Sequence, residues 1–134
     1  MIKLGEKENK KLKEFAGEYG IELLLLFGSQ VDGKTHKESD ADVAYMSKKP
    51  LTIREESELM VKLQPVLKNN KVDLVNIHTA PPLLLYAITN RGSVLYQSDP
   101  LAFYQLRAYA FKRYVEAEPL FELKEQRLKA LLNI

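Results

Sequence analysis

The feature that most restricts the fold is an apolar stretch at residues 21–27, which holds four consecutive leucines and is flanked by Gly20 and Gly28. The stretch is far too short to span a bilayer as a helix. A short apolar run between turn residues is typical of a strand buried inside a sheet. We therefore expect this stretch to be an interior strand around which the core is built.

Helices and further strands are predicted to alternate along the rest of the chain. Helices are indicated by apolar residues at helical spacing, by the pair Pro81-Pro82 at a helix start and by Asp99 as a helix cap. Pro119 is expected to kink or divide the last helix into residues 100–118 and 120–132. The predicted helices cover residues 6–19, 52–69, 81–91 and 100–132, and the predicted strands cover residues 21–27, 41–46, 71–77 and 93–97.

This alternation favours an α/β or α+β fold, with a small mixed β-sheet flanked by helices and a helical C-terminus. The 134 residues are enough for a single domain with one core. We expect one domain over residues 1–134, with the sheet in a core at about residues 20–98 and the C-terminal helices at about residues 99–132.

Composition excludes several classes of protein and of site. The chain has no cysteine, so disulfides and thiolate metal sites are excluded. The net charge of +2 is small, and lysine and arginine are mixed with glutamate, so direct binding to nucleic acid is not expected. The N-terminus lacks the apolar region of a signal peptide, and no apolar run is long enough for a membrane span. We expect a cytoplasmic protein.

A spaced set of small and acidic residues follows the apolar strand. Gly28-Ser29 ends the strand, Asp40 and Asp42 come next, and Asp73 lies in the predicted third strand. Asp40 and Asp42 are two residues apart, so on one strand their carboxylates point to the same face. Carboxylates suit Mg²⁺, and Asp73 is predicted to be a third metal ligand or the base that accepts a hydroxyl proton. Gly28 permits close approach of a phosphate, and Ser29 offers a hydroxyl and backbone donors.

The sequence Gly28-Ser29, ten further residues and then Asp40-Ala41-Asp42 resembles the signature of the DNA polymerase beta-like nucleotidyltransferase superfamily. The small size and the segment around Asp73 resemble its minimal nucleotidyltransferase branch, whose members are typically antitoxins of HEPN/MNT toxin–antitoxin pairs. The resemblance implies that Gly28 and Ser29 bind the triphosphate and that Asp40, Asp42 and Asp73 are the catalytic and metal-binding carboxylates. It implies two Mg²⁺ ions, ATP as substrate and the polymerase beta-like fold.

The same resemblance implies transfer of AMP from ATP to tyrosine hydroxyls of a partner HEPN ribonuclease toxin, which neutralises the toxin, and therefore a hetero-oligomer. Two alternatives stay open. One is transfer of a nucleotide to a small molecule such as an aminoglycoside, which usually needs an additional substrate domain. The other is a non-catalytic antitoxin that acts by binding alone, against which the intact set of acids argues.

The remaining polar residues are expected to lie outside the site. His36 and His78 are not expected to be ligands, and Lys48-Lys49 is expected to be a solvated turn rather than a phosphate clamp. The apolar end of the chain beyond Pro119 is the predicted docking surface for a protein partner. Phe121 and Leu128 lie nearly two helical turns apart and so share a face of that helix.

Overall fold

The computed structural model describes residues 4–28 and 40–132 of the chain. Within these ranges there are four strands and four helices, and a short 3₁₀ turn at Ile77–Thr79 follows the third strand. The strands are β1 (Ile21–Phe27), β2 (Ala41–Ser47), β3 (Val72–Asn76) and β4 (Ser93–Gln97), and the helices are α1 (Glu6–Tyr19), α2 (Ile53–Leu67), α3 (Pro82–Arg91) and α4 (Ala102–Leu132).

The strands form one mixed sheet in the order β3-β2-β1-β4. The apolar strand β1 is interior, as predicted, and is antiparallel to both of its neighbours, whereas β2 and β3 are parallel. Because β1 runs opposite to the other three strands, β2, β3 and β4 all begin at the end of the sheet where β1 finishes. We call this end of the sheet the aspartate end, since Asp42 and Asp73 lie at the starts of β2 and β3.

Both faces of the sheet are covered, which explains the unbroken leucine run in β1. Leu24 and Leu26 pack into a layer with α1 and α2, and Leu23 and Leu25 pack into a second layer with α3 and α4. Successive side chains of a strand point to opposite faces, so a strand between two helical layers has no polar side. The prediction of a small mixed sheet flanked by helices is confirmed.

Local chemistry sets the helix ends. Helix α1 stops at Gly20, whose φ of 65° is left-handed. Helix α2 starts with a reciprocal capping box, in which the Thr52 side chain accepts from the backbone N–H of Glu55 and the Glu55 carboxylate accepts from the backbone N–H of Thr52. The strand predicted at residues 71–77 is shorter than expected, because Ile77 turns into the 3₁₀ segment.

Pro119 is expected to kink or divide the last helix, and the predicted division is wrong, since α4 continues from Ala102 to Leu132 with Pro119 inside it. A proline in a helix removes one N–H donor, so the carbonyl of Val115 lacks its usual partner, but the helical bonds on either side are kept. The helix also starts later than the predicted residue 100, after a turn in which the Asp99 carboxylate accepts from the backbone N–H of Leu101 at 2.8 Å.

In the described part of the chain, no helix has both the length and the apolar character needed to cross a membrane.

Candidate functional site

Asp42 and Asp73 lie side by side on adjacent strands. They are Cα partners in the parallel pairing of β2 with β3, so both side chains project from the same face of the sheet. Asp42 is half-buried and Asp73 is exposed. Asp40 lies immediately before β2 and is exposed. The structure therefore brings together the two carboxylates that the sequence placed thirty-one residues apart, with Asp40 next to them in the chain.

The three carboxylates affect one another electrostatically. Burial raises the pKa of the Asp42 carboxyl above its ordinary value, and the negative charges of Asp73 and Asp40 raise that pKa further. Each of these causes disfavours the ionised form of Asp42. A cation placed against the cluster would reverse the effect of the neighbouring charges, because it attracts the same carboxylates that repel one another.

Gly28 is required by the geometry of Asp42. Its φ is 82°, a conformation that side-chain-bearing residues rarely adopt, and a Cβ added there would lie 2.5 Å from Asp42 Oδ2. The contact arises because β1 ends at Phe27, whose Cα partner in the antiparallel pairing is Asp42. The backbone of the turn therefore passes directly over the Asp42 carboxylate, and a side chain at this position would have to displace that carboxylate.

Phe27 is a neighbour of the carboxylates that sequence reasoning assigned only to a strand. Directly opposed residues of an antiparallel pair lie on one face with Cβ atoms about 5 Å apart, and Phe27 opposes Asp42 in this way. Phe27 also packs against the apolar layer formed with α3 and α4. Its ring gives the Asp42 carboxylate an apolar neighbour. Alternation along β1 assigns Phe27 to a face, but only the strand register shows what lies opposite.

Several predicted residues lie outside the described residues. Ser29, predicted to bind the triphosphate, is one of them, and so is His36. His78 and Lys48 are described, and both lie at the other end of the sheet. The imidazole Nε2 of His78 is 3.2 Å from the carbonyl oxygen of Ser47, at the last residue of β2. Ser47 is five residues from Asp42, or about 17 Å along a strand, so neither residue belongs to the carboxylate cluster.

One cavity of the described structure lies away from the aspartates. It has a volume of about 610 Å³ and is lined by residues from the opposite end of the sheet and from α4, among them Met46, His78, Asp99, Tyr109 and Arg113. Its charged residues are of both signs, which gives no preference for a phosphate. The candidate site is therefore identified by the pair of carboxylates at the aspartate end and not by this cavity.

Among the described residues, no three acidic or histidine side chains are grouped closely enough to hold a metal ion by themselves. The donor set is nevertheless suited to Mg²⁺, which prefers carboxylate oxygens and usually takes only one or two of them together with substrate phosphates and water. Asp42 and Asp73 supply that number from one face of the sheet. A bound nucleotide would supply the remaining oxygens.

Most of the chain is similar in sequence to known proteins. Residues 10–101 match the polymerase beta nucleotidyltransferase family. A curated relative, the protein adenylyltransferase MntA of Shewanella oneidensis, is 30% identical over 101 residues, which are 73% of this chain and 70% of the relative. The matched segment includes β1, β2 and β3 and therefore Gly28, Asp40, Asp42 and Asp73.

Solved structures share the fold. A toxin–antitoxin structure determined with AMP-PNP matches 90% of this chain and 97% of its own, with a TM-score of 0.75 and 22% identity. A structure of tri-AMPylated HEPN toxin of Shewanella oneidensis in complex with MNT antitoxin matches 92% of this chain and 97% of its own, with a TM-score of 0.69 and 19% identity. The likeness extends beyond the sheet, because coverage this high includes much of α4.

We predict that Gly28→Ala destabilises the protein by about 1–3 kcal/mol, because alanine is strained at a left-handed φ and its Cβ displaces the Asp42 carboxylate. Urea unfolding of the variant and of the wild type measures the change. Gly17→Ala, at an exposed position of α1 where an added Cβ meets nothing within 4 Å, is the matched control and should not destabilise. Equal stability of Gly28→Ala and wild type would contradict the described contact.

We predict that Asp42→Asn raises the melting temperature in metal-free buffer near neutral pH. The amide keeps the shape of the carboxylate but removes a charge that burial, Asp73 and Asp40 all disfavour. Differential scanning calorimetry in the presence of a chelator tests this. Glu14→Gln, an exposed acid on α1, should leave the melting temperature unchanged, and a fall of several degrees for Asp42→Asn would show that the carboxylate stabilises the fold instead.

Proposed function

The chain belongs to the polymerase beta nucleotidyltransferase family, and we propose that it is an antitoxin that transfers AMP from ATP to tyrosine hydroxyls of a partner HEPN ribonuclease toxin, which neutralises the toxin. The observation that carries the proposal is the pairing of Asp42 with Asp73 on one face of the sheet, directly beneath the side-chain-free turn at Gly28. The reaction needs the carboxylates to bind the metal and the open turn to admit the phosphates, because it brings a charged triphosphate against a protein nucleophile.

The proposed step is a displacement at the α-phosphorus of ATP. A bond forms between the tyrosine oxygen and the phosphorus, the bond from that phosphorus to the pyrophosphate oxygen breaks, and pyrophosphate leaves with the electron pair. Asp73 is exposed and faces the same side as Asp42. These observations support the proposal that it accepts the proton of the attacking hydroxyl or serves as a third metal ligand. Mg²⁺, when bound by these carboxylates, would stabilise the charge on the attacking and leaving oxygens.

The other residues of the site are proposed to bind the metal, to bind the phosphates and to exclude water. Asp40 and Asp42 are proposed to hold the metal, with two ions expected for this chemistry. Gly28 lets the triphosphate approach the backbone, and Ser29 is proposed to donate its hydroxyl to a phosphate oxygen. The ring of Phe27, opposite Asp42, limits access of water on its side of the carboxylate.

We favour a toxin as the acceptor because several similar proteins are described as protein adenylyltransferases or as toxin–antitoxin complexes. The curated relative is named a protein adenylyltransferase, and two of the solved structures with the same fold are toxin–antitoxin structures, one with AMP-PNP and one with a tri-AMPylated HEPN toxin. We infer a hetero-oligomer with the toxin in the cytoplasm. Small-molecule transfer is the second candidate, and a non-catalytic antitoxin is the third.

We predict that the purified chain transfers label from α-³²P-ATP to its co-expressed toxin in the presence of Mg²⁺, and that Asp42→Ala reduces the rate by about 1,000-fold or more, since metal stabilisation of the transition state is worth several kcal/mol. Asp40→Ala should act in the same direction. The toxin's ribonuclease activity should fall in proportion to the label that it carries.

Three results would separate the alternatives. Label on an aminoglycoside but not on the toxin would favour the small-molecule reaction. Neutralisation of the ribonuclease by the Asp42→Ala variant at wild-type efficiency would favour binding alone. Transfer by that variant at the wild-type rate would exclude Asp42 from the site.

We predict that Asp73→Asn lowers kcat with little change in the affinity for ATP, because a base or a ligand at the attacking oxygen acts mainly in the transition state. Single-turnover rates and calorimetric titration of ATP measure the two quantities separately. A variant with normal turnover would make Asp73 a solvated strand residue with no part in the reaction.

A further inference from the structure

The C-terminal part of α4 extends beyond the packed body of the domain. The buried residues of α4 are Ala102, Leu106 and Ala110, all in its first third. Tyr114 makes the last ring contact, stacking on Tyr86 with centroids 4.2 Å apart. None of residues 115–132 is buried. Most helical stability in proteins comes from the packing of an apolar face, and this segment has no buried residue within the domain.

Residues 115–132 carry such a face. Helical spacing places five of its apolar side chains along one stripe that continues the side of α4 occupied by Leu106 and Ala110 in the core. Leu128 is 56% exposed and Leu131 is 82% exposed. Pro119 lies on the opposite side of the helix and does not interrupt the stripe. We call this set the C-terminal stripe, and its members are Ala117, Leu120, Phe121, Leu128 and Leu131.

The charges beside the stripe are separated along the helix. Residues 115–123 carry three glutamates and no basic residue, whereas residues 124–132 carry three basic residues and one glutamate. The helix macrodipole does not account for the acidic half, because its effect falls off within the first and last turns and these glutamates lie in the middle of α4. The segment is therefore complementary to itself when it is reversed.

From this pattern we propose that the C-terminal stripe is a dimer interface, on which a second copy of this chain docks its own residues 115–132 in the antiparallel direction. Antiparallel pairing sets each acidic half against a basic half, and parallel pairing would set like charges together. A two-fold axis makes the two contributions equivalent, as in most homodimers. The interface is separate from the aspartate end and leaves the proposed reaction site free.

The residue spacing gives the register. Eleven residues are three helical turns, and this spacing separates Ala117 from Leu128 on the stripe, Glu116 from Arg127 on one flank and Glu118 from Lys129 on the other. When Ala117 lies opposite Leu128 of the second copy, each glutamate comes within reach of the basic residue on the same flank.

The same register places the stem of Lys124, the one charged side chain within the stripe, beside Phe121 of the second copy. Glu125 and Lys129 of the same helix form a salt bridge at 3.5 Å. Both side chains are exposed to solvent, so this salt bridge contributes little to stability. The flanking pairs are therefore expected to determine direction and register, while the apolar stripe supplies affinity.

The test is sedimentation velocity on the full-length chain without toxin, over a wide range of protein concentration. The wild type should change from monomer to dimer as its concentration rises. Leu128→Asp should raise the dimer dissociation constant by about 100-fold or more, since it buries a charge without a partner. Val115→Asp is the matched control, because Val115 is 46% exposed and lies off the stripe, and it should dimerise normally. Both variants should keep the wild-type ATP affinity, and both should keep the wild-type melting temperature at concentrations where the wild type is a monomer.

A charge exchange tests the direction of pairing. Glu118→Lys and Lys129→Glu should each weaken the dimer, and the double variant should restore it. In a parallel dimer these two positions are about 16 Å apart along the axis, so the double variant would not recover. A wild type that stays monomeric at every concentration, a Leu128→Asp variant that still dimerises, or a double variant without recovery would each overturn the proposal. A monomeric wild type whose Leu128→Asp variant no longer co-purifies with the toxin would assign the stripe to the toxin instead.

Discussion

The hydrogen-bond register of β2 between its two neighbours is the constraint on which the rest of the structure depends. On one side, the parallel pairing with β3 sets Asp42 beside Asp73. On the other, the antiparallel pairing with β1 sets Asp42 opposite Phe27, so the turn at Gly28 passes over the carboxylate. A shift of either pairing by one residue would turn Asp42 to the other face of the sheet, where the layer with α1 and α2 is packed with apolar side chains.

This register is maintained at an electrostatic cost. The site concentrates negative charge at one end of the sheet and partly buries Asp42, which raises the pKa of that carboxyl. The sheet can hold the arrangement because its centre is apolar on both faces, with Leu23 to Leu26 fully buried between the two helical layers. Hydrophobic burial supplies the stability, and the strand ends, where packing is looser, carry the charges. Proteins commonly accept such local conflict at functional sites.

Much of the fold follows from local sequence signals. The leucine run, the left-handed Gly20 and the alternation of strands with helices predict the elements and the layered architecture, and Asp40 with Asp42 predicts a carboxylate pair. The neighbour relation of Asp42 and Asp73 is different, because it depends on a parallel pairing across the whole of α2, and no local pattern specifies that register. The same is true of Phe27, whose place beside Asp42 appears only when the strands are aligned. Pro119 shows the opposite limit, since a local rule predicted a break that the continuous helix does not have.

In the proposed reaction the nucleotide and its metal bind at the aspartate end rather than in the cavity at the other end of the sheet. Paramagnetic line broadening by Mn²⁺ with a non-hydrolysable ATP analogue tests this directly on the isotope-labelled chain. We expect the backbone amide signals of Gly28, Asp42 and Asp73 to broaden first and most strongly, at a lower Mn²⁺ concentration than those of Ile77, His78 and Asp99. Broadening of the second group with the first group unchanged would contradict it.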